Sequence, residues 1–194
     1  QAGPEIIAAA GGSARSALFG CIPAASAAFV RRTDQAFDAL VADVLQLYGS
    51  ENATVPVAVE LDPRCPPVAG DAQQLRQVVH NLLQNAQDAT EEAARKGQVP
   101  AEPVHISTHW SESSRRVRLT VSDRGSGFAP NILQRALEPY VTTKSGGTGL
   151  GLAVVKKIAD EHGARVDLVN RMENGMVRGA QVSLSFAPER AVAL

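Results

Sequence analysis

Little in the sequence marks an extracellular or membrane protein. Cysteine occurs twice in 194 residues, at Cys21 and Cys65, and neither lies in a CxxC pair or a Cys/His cluster. That argues against a zinc site and a disulfide scaffold, and it suits a reducing cytoplasm. Aromatic residues make up only 4%, too few for base-stacking platforms. The 19 basic and 20 acidic side chains leave a net charge of −1, which gives no nucleic-acid footprint. No apolar run approaches the roughly 20 residues that cross a bilayer, so direct membrane contact by this chain is not expected. Gly and Pro, at 16 and 11, are too sparse for a collagen-like or low-complexity protein. What remains is ordinary globular composition, 44% hydrophobic and 20% charged, at a length that suits one domain with an extension.

The extension is at the start. Residues 1–30 hold ten Ala and four Gly and almost no charge. Residues 16–30 are apolar, and Ala25-Ser26-Ala27 faintly resembles a signal cleavage site. A secretory leader opens on basic residues, however, and Glu5 lies in that region instead. We expect 1–33 to be a linker or cloning remnant, poorly ordered and without function. Residues 34–187 then form one domain, and 188–194 a short tail.

From Asp34 onward the periodicities are clean. Phe37, Leu40, Val41, Val44, Leu45 and Tyr48 share a helical face, so 34–48 is an amphipathic helix. Val55, Val57, Val59 and Leu61 alternate as a strand, and Pro56 within it indicates a sheet edge. The strongest helix is 71–95, with Leu75, Val78, Val79, Leu82, Leu83 and Ala86 in one stripe. Two alternating runs, Val104 to Trp110 and Val117 to Val121, read as a hairpin. A glycine-rich segment, with a short helical piece at 131–137, leads to a helix at 149–162. Val166 and Leu168, an Asn174-Gly175 turn, and Ala180 to Phe186 complete the chain as strands. The order α β α β β α β β predicts an α+β two-layer sandwich: one mixed sheet covered on one face by helices.

Four groups of residues carry chemistry. On helix 71–95, Asn81, Asn85 and Asp88 project at about 240°, 280° and 220°, forming a polar stripe along one border of the buried face. Neutral carboxamide oxygens there suit a hard cation that also touches phosphates. Asp123 continues the parity of Val117, Leu119 and Val121, so it leaves its strand on the interior side, where an unpartnered acid is costly. A carboxylate so placed accepts from an exocyclic amine such as adenine's. Gly125 and Gly127 after it let the backbone approach a flat ring. The run Gly146-Gly147-Thr148-Gly149-Leu150-Gly151 opens helix 149–162, where free N–H groups and the positive end of the helix dipole cradle phosphate. No strand leads directly into it and no GK[ST] follows, so it is neither a Rossmann fingerprint nor a P-loop. Just upstream, residues 138–144 (EPYVTTK) supply hydroxyls and an amine for a terminal phosphate. The long segment between Asp123 and the glycines is placed to close as a lid.

In this order the four groups resemble the Bergerat-type ATP-binding catalytic domain of sensor histidine kinases, in the wider gyrase, Hsp90 and MutL family. Residues 80–89 (HNLLQNAQDA) are similar to the N box, 123–127 (DRGSG) to the first glycine box, 138–144 to the F box and 147–152 (GTGLGL) to the second glycine box. Within the family, EPYVTTK and GTGLGLAVVKKIADEHGA look most like the NtrY-like nitrogen-sensor branch.

The resemblance implies ATP and Mg²⁺ as cofactors and phosphoryl transfer to a histidine as the reaction. It assigns Mg²⁺ to Asn85, with Asn81 in support, and the adenine amino group to Asp123, with Gly125 and Gly127 lining the base. Gly147, Gly149 and Gly151 take the phosphates, with Thr148 and Leu150 in the same run. Thr142, Thr143 and Lys144 lie in the lid near the γ-phosphate, and Asn81 and Lys144 are the catalytic candidates. Asp88 stands where many kinases carry Lys or Arg, which removes a second phosphate contact. Asn81 stands where the family's hydrolases carry a water-activating Glu, which favours a kinase over an ATPase. At Gly179-Ala180 the hydroxyl that gyrase-like relatives set near adenine is missing. None of His80, His105, His109 and His162 has the context of a phosphoacceptor, and we read all four as structural. The implied partners are therefore a separate phosphoacceptor and dimerisation domain and a response regulator. The fragment is expected to be monomeric and cytoplasmic, with a membrane-anchored parent, and not to phosphorylate itself. A same-fold alternative is an anti-sigma-factor serine kinase.

Overall fold

The computed structural model describes residues 32–33, 37–48, 55–97, 102–142 and 148–188. The expectations for residues 1–31 and for nearly all of the tail lie outside that set, as does the side chain of Tyr48. In chain order the elements are β1 (Arg32–Thr33), α1 (Phe37–Tyr48), β2 (Val57–Glu60), β3 (Gly70–Asp71), α2 (Ala72–Arg95), β4 (Val104–Ser111), β5 (Arg116–Ser122), α3 (Pro130–Leu133), α4 (Gly151–Glu161), β6 (Arg165–Glu173) and β7 (Met176–Phe186). Five strands form one sheet in the order β2-β4-β5-β7-β6, with β2 parallel to β4 and every other pair antiparallel. This is the expected mixed sheet, and the strand carrying Pro56 at its entry is an edge.

Alternation along the strands sorts the two faces. Val104, Ile106, Val117, Leu119, Val121, Leu184 and Phe186 point inward and form one core with α1, α2 and α4, whereas His105, His109 and Arg118 on the other face are exposed. Phe37 of α1 meets Phe186 of β7 with ring centroids 4.8 Å apart. Helix α2 buries the whole predicted stripe from Leu75 to Ala86. Each such side chain contributes roughly 1.5–3 kcal/mol of burial. Its start is fixed by Asp71, whose carboxylate accepts from the Gln74 N–H at 2.9 Å. Among the described residues no helix is long and apolar enough to cross a membrane.

Two features exceed the sequence reading. The short strands β1 and β3 pair in a second, two-stranded sheet, so Arg32 and Thr33, expected to be linker, belong to regular structure. Strands β6 and β7 form a long hairpin closed at Asn174-Gly175, where φ values of 51° and 77° suit a tight two-residue turn. The hairpin's outer half was illegible because a bulge between Asn170 and Met172 breaks the alternation.

His80, His105 and His109 are exposed. His162 is half-buried: its Nε2 accepts from the Asp71 N–H at 3.0 Å, and its Nδ1 faces the Ile158 carbonyl at 2.8 Å. A carbonyl can only accept, so the ring is the neutral Nδ1–H tautomer.

The link from β2 to α2 is anchored by Asp62. Its carboxylate takes the Arg64 guanidinium at 2.9 Å and the Trp110 N–H at 3.1 Å. These bonds, led by the Arg64 side chain and then the Trp110 N–H, hold the Asp62 carboxyl well below the usual carboxylate range. The folded state thus binds this proton more weakly than the unfolded chain. The contribution is present in full above about pH 4 and is lost as pH falls further. Asp62→Asn should therefore lower the urea midpoint at pH 7 and flatten its decline between about pH 4 and pH 2. Parallel midpoint curves for the two proteins would show that the anchor carries no acid dependence.

Candidate functional site

One cavity of about 290 Å³ opens between α2, the ends of β5 and β7, and the start of α4. Asn81, Asn85 and Asp88 line it from α2, as their place on the border of the apolar stripe anticipated. Asp123 and Gly127 line it from the segment after β5. Thr142, Thr148, Gly149 and Gly151 line it from the opposite end. The three groups of functional residues are thus brought to one hollow from elements far apart in sequence.

Asp123 is buried, with 7% of its surface exposed. Its Oδ1 accepts from the Gly125 N–H at 2.8 Å and the Ala180 N–H at 3.1 Å, which offsets the cost of holding a carboxylate there. The backbone of the same residues is paired, since the Asp123 N–H donates to the Ala180 carbonyl at 3.0 Å. Where a hydroxyl is missing at Ala180, a main-chain donor therefore reaches the acid. Gly179 makes this possible. Its φ is +125°, and a Cβ there would collide with the Asp123 carbonyl oxygen.

At the other end the α2 amides meet α4. Asn81 Nδ2 donates to the Gly151 carbonyl at 3.4 Å. A Cβ on Gly151 would lie 3.0 Å from Asn85 Nδ2, so only a bare backbone leaves that amide its place. Gly149, at φ +68°, packs beneath residues 140–141 and accepts the Tyr140 N–H at 3.0 Å. A Cβ at Gly149 would come within 2.7 Å of the Tyr140 carbonyl carbon. Tyr140 itself is exposed. Helix α4 starts at Gly151, two residues later than expected, with no side-chain cap on Leu150. Gly151 and Leu152 of its first turn line the cavity, and a helix start leaves backbone donors that suit an anion.

Two predicted site residues fall elsewhere. Gly125 packs against Ala89 of α2 and does not line the cavity, because its backbone is already in contact with that helix. Leu150 is exposed at the helix start and does not line it either. Thr143, Lys144 and Gly147 lie outside the described residues. Sequence reasoning missed the apolar wall made by Phe128, Ile132 and Ala136. Ile132 lies in the short helix α3, but Phe128 precedes it and Ala136 follows it, so no single period marked this wall. It also missed Asn170, whose carboxamide pairs with both backbone groups of Phe128.

A buried acid at one end of this cavity and bare backbone donors at the other suit a ligand with an amine-bearing ring and a charged tail. Residues 70–190 match the family described as histidine kinase-, DNA gyrase B- and HSP90-like ATPase. The chain belongs to this family. An NtrY-like sensor histidine kinase of Rickettsia bellii is 41% identical over 107 residues, covering 55% of this chain and 16% of that protein. The sensory histidine kinase/phosphatase NtrB of Rhodobacter capsulatus is 33% identical over 144 residues, or 69% of this chain and 38% of that protein. The chain thus spans under half the length of these curated relatives. Among solved structures, the catalytic domain of histidine kinase ThkA has a TM-score of 0.65 at 27% identity, over 80% of this chain and 95% of that one. Full-length ShkA in complex with AMPPNP has a TM-score of 0.67 at 26% identity, over 84% of this chain and 32% of that one.

Gly179→Ala should be costly, because it adds a Cβ against the Asp123 carbonyl at a left-handed φ. We expect a loss of about 2 kcal/mol or more in denaturant unfolding. A near-neutral result would mean that the carbonyl has room to move and that the β7 contact does not fix the acid.

Proposed function

We propose that this chain is the ATP-binding catalytic domain of a two-component sensor histidine kinase. In this reading it transfers the ATP γ-phosphate to a histidine on a separate helical hairpin. The observation that supports it most is the convergence of Asp123, Asn85 and Gly149 on one cavity. Asp123 would accept the exocyclic amine of adenine, its carboxylate fixed by the Gly125 and Ala180 N–H groups. Gly149 and Gly151 at the start of α4 would hold the phosphates, with Thr142, Thr148 and the lid residues Thr143 and Lys144 nearby. Asn85, with support from Asn81, would hold Mg²⁺, which would supply charge neutralisation on the phosphates. The amide donor set and the glycine cradle fit these groups. Asp88 and Glu92 also face the cavity and bring negative charge, which makes a compensating cation necessary for a triphosphate.

Phosphoryl transfer asks the protein mainly for positioning and charge stabilisation. The cavity offers amides from α2 and hydroxyls from Ser126, Thr142 and Thr148. Asn81, four residues before Asn85, is too weak a base to activate water, so transfer to a presented side chain is favoured over hydrolysis. A phosphoacceptor domain and a response regulator of the parent protein are the implied partners, and the parent is proposed to be membrane-anchored with this domain in the cytoplasm.

Calorimetry with AMPPNP should give saturable binding that weakens at least tenfold without Mg²⁺. Asp123→Asn should weaken it by about 10- to 100-fold, the worth of a hydrogen bond to a buried charge. With ATP, phosphate should move to an added histidine-bearing hairpin as an acid-labile adduct, and the chain alone should stay unlabelled. Acid-stable label on a serine-bearing partner would favour the anti-sigma-factor type of kinase. No nucleotide affinity in either metal condition would refute the proposal.

A further inference from the structure

We propose that Asn170, with Arg171 beside it, is a positioning residue that holds the adenine end of the site in register. This rests on the nucleotide reading above. The loop 123–128 begins with the acid that reads the base and ends with Phe128 in the cavity wall. Phe128 directs both backbone groups to one side chain. Its N–H donates to Asn170 Oδ1 at 2.8 Å, and its carbonyl accepts from Asn170 Nδ2 at 2.8 Å. A carboxamide carries one acceptor and one donor side by side, so it imitates the edge of a neighbouring strand. At the other end of the loop, Arg171 Nη1 donates to the Asp123 carbonyl at 3.1 Å.

Neighbouring residues of a regular strand point to opposite faces, so 170 and 171 would not ordinarily grip one loop. The bulge between Asn170 and Met172 lifts that restriction. Further out, Glu173 pairs with Arg124 from the same loop. The outer half of the β6–β7 hairpin therefore grips the loop at three points while burying little apolar surface: Val169, Met172 and Met176 on it are largely exposed. Its place in the molecule is explained by the grip rather than by core packing. Asn170 touches no part of the ligand position; it acts through Phe128 and, across the loop, on the aim of Asp123.

The test separates aim from stability by using two nucleotides. ATP presents an amine to Asp123 and ITP presents a carbonyl oxygen, while the ribose and triphosphate are the same. Calorimetry in Mg²⁺ on the full chain should give the unaltered protein about a 30-fold preference for ATP, the worth of one hydrogen bond to a buried carboxylate. In Asn170→Ala that preference should fall below about threefold, through lost ATP affinity with ITP affinity nearly unchanged. If Asn170→Ala does not fold, the same ratio is read on Asn170→Asp. That variant keeps the acceptor for the Phe128 N–H and sets a carboxylate oxygen against its carbonyl, where only a donor fits. An unchanged ratio, or an equal loss for both nucleotides, would overturn the positioning role and leave the nucleotide reading intact. Absence of any nucleotide binding by the unaltered protein would overturn both.

Discussion

A carboxylate at the buried end of a central strand is the constraint around which the rest of this domain is arranged. Asp123 occupies an inward position that continues the apolar parity of β5, where an unpaired charge would cost several kcal/mol. Main-chain donors offset part of that cost. Gly125 supplies one as the chain turns away, and Ala180 supplies the other from the adjacent strand. These two donors fix the orientation of its Oδ1. Gly179 and the close contact between Gly125 and Ala89 follow from the same need, since each lets a backbone reach a place that a side chain would close.

Helix α2 links that acid to the other end of the cavity. One face supplies the core from Leu75 to Ala86, and its border carries Asn81, Asn85 and Asp88. Because the same helix touches Gly125 at Ala89 and Gly151 at Asn85, the spacing between the two ends is set by a rigid element rather than by loops. The ends themselves differ in character. The β6–β7 hairpin holds the acid's loop through Asn170 and Arg171, whereas Gly149 at the start of α4 packs against residues 140–141.

Much of this was legible in the sequence because each signal had a physical cause that acts locally. The apolar stripe of α2, the alternation of β4 and β5 and the parity of Asp123 all follow from helical and strand periods, and the polar border of α2 correctly indicated residues facing a cavity. Elements that depend on distant partners were not legible. Strands β1 and β3 are two residues each, too short to carry a period, and exist only through each other. The outer half of the hairpin was hidden by its bulge, and with it the role of Asn170. Gly125 and Leu150 share motifs with residues that line the cavity, but a motif does not say which of its members faces the ligand and which meets a helix. The partner of His162 was not legible because it is Asp71, 91 positions away.

The central claim is that residues from α2, the end of β5 and the start of α4 bind one nucleotide together. Amide chemical shifts during an AMPPNP titration in Mg²⁺ test it most directly. The account predicts that Asn85, Asp123, Gly125, Gly149 and Gly151 shift together with one dissociation constant. Shifts confined to one of these regions, with separate constants for the others, would contradict it.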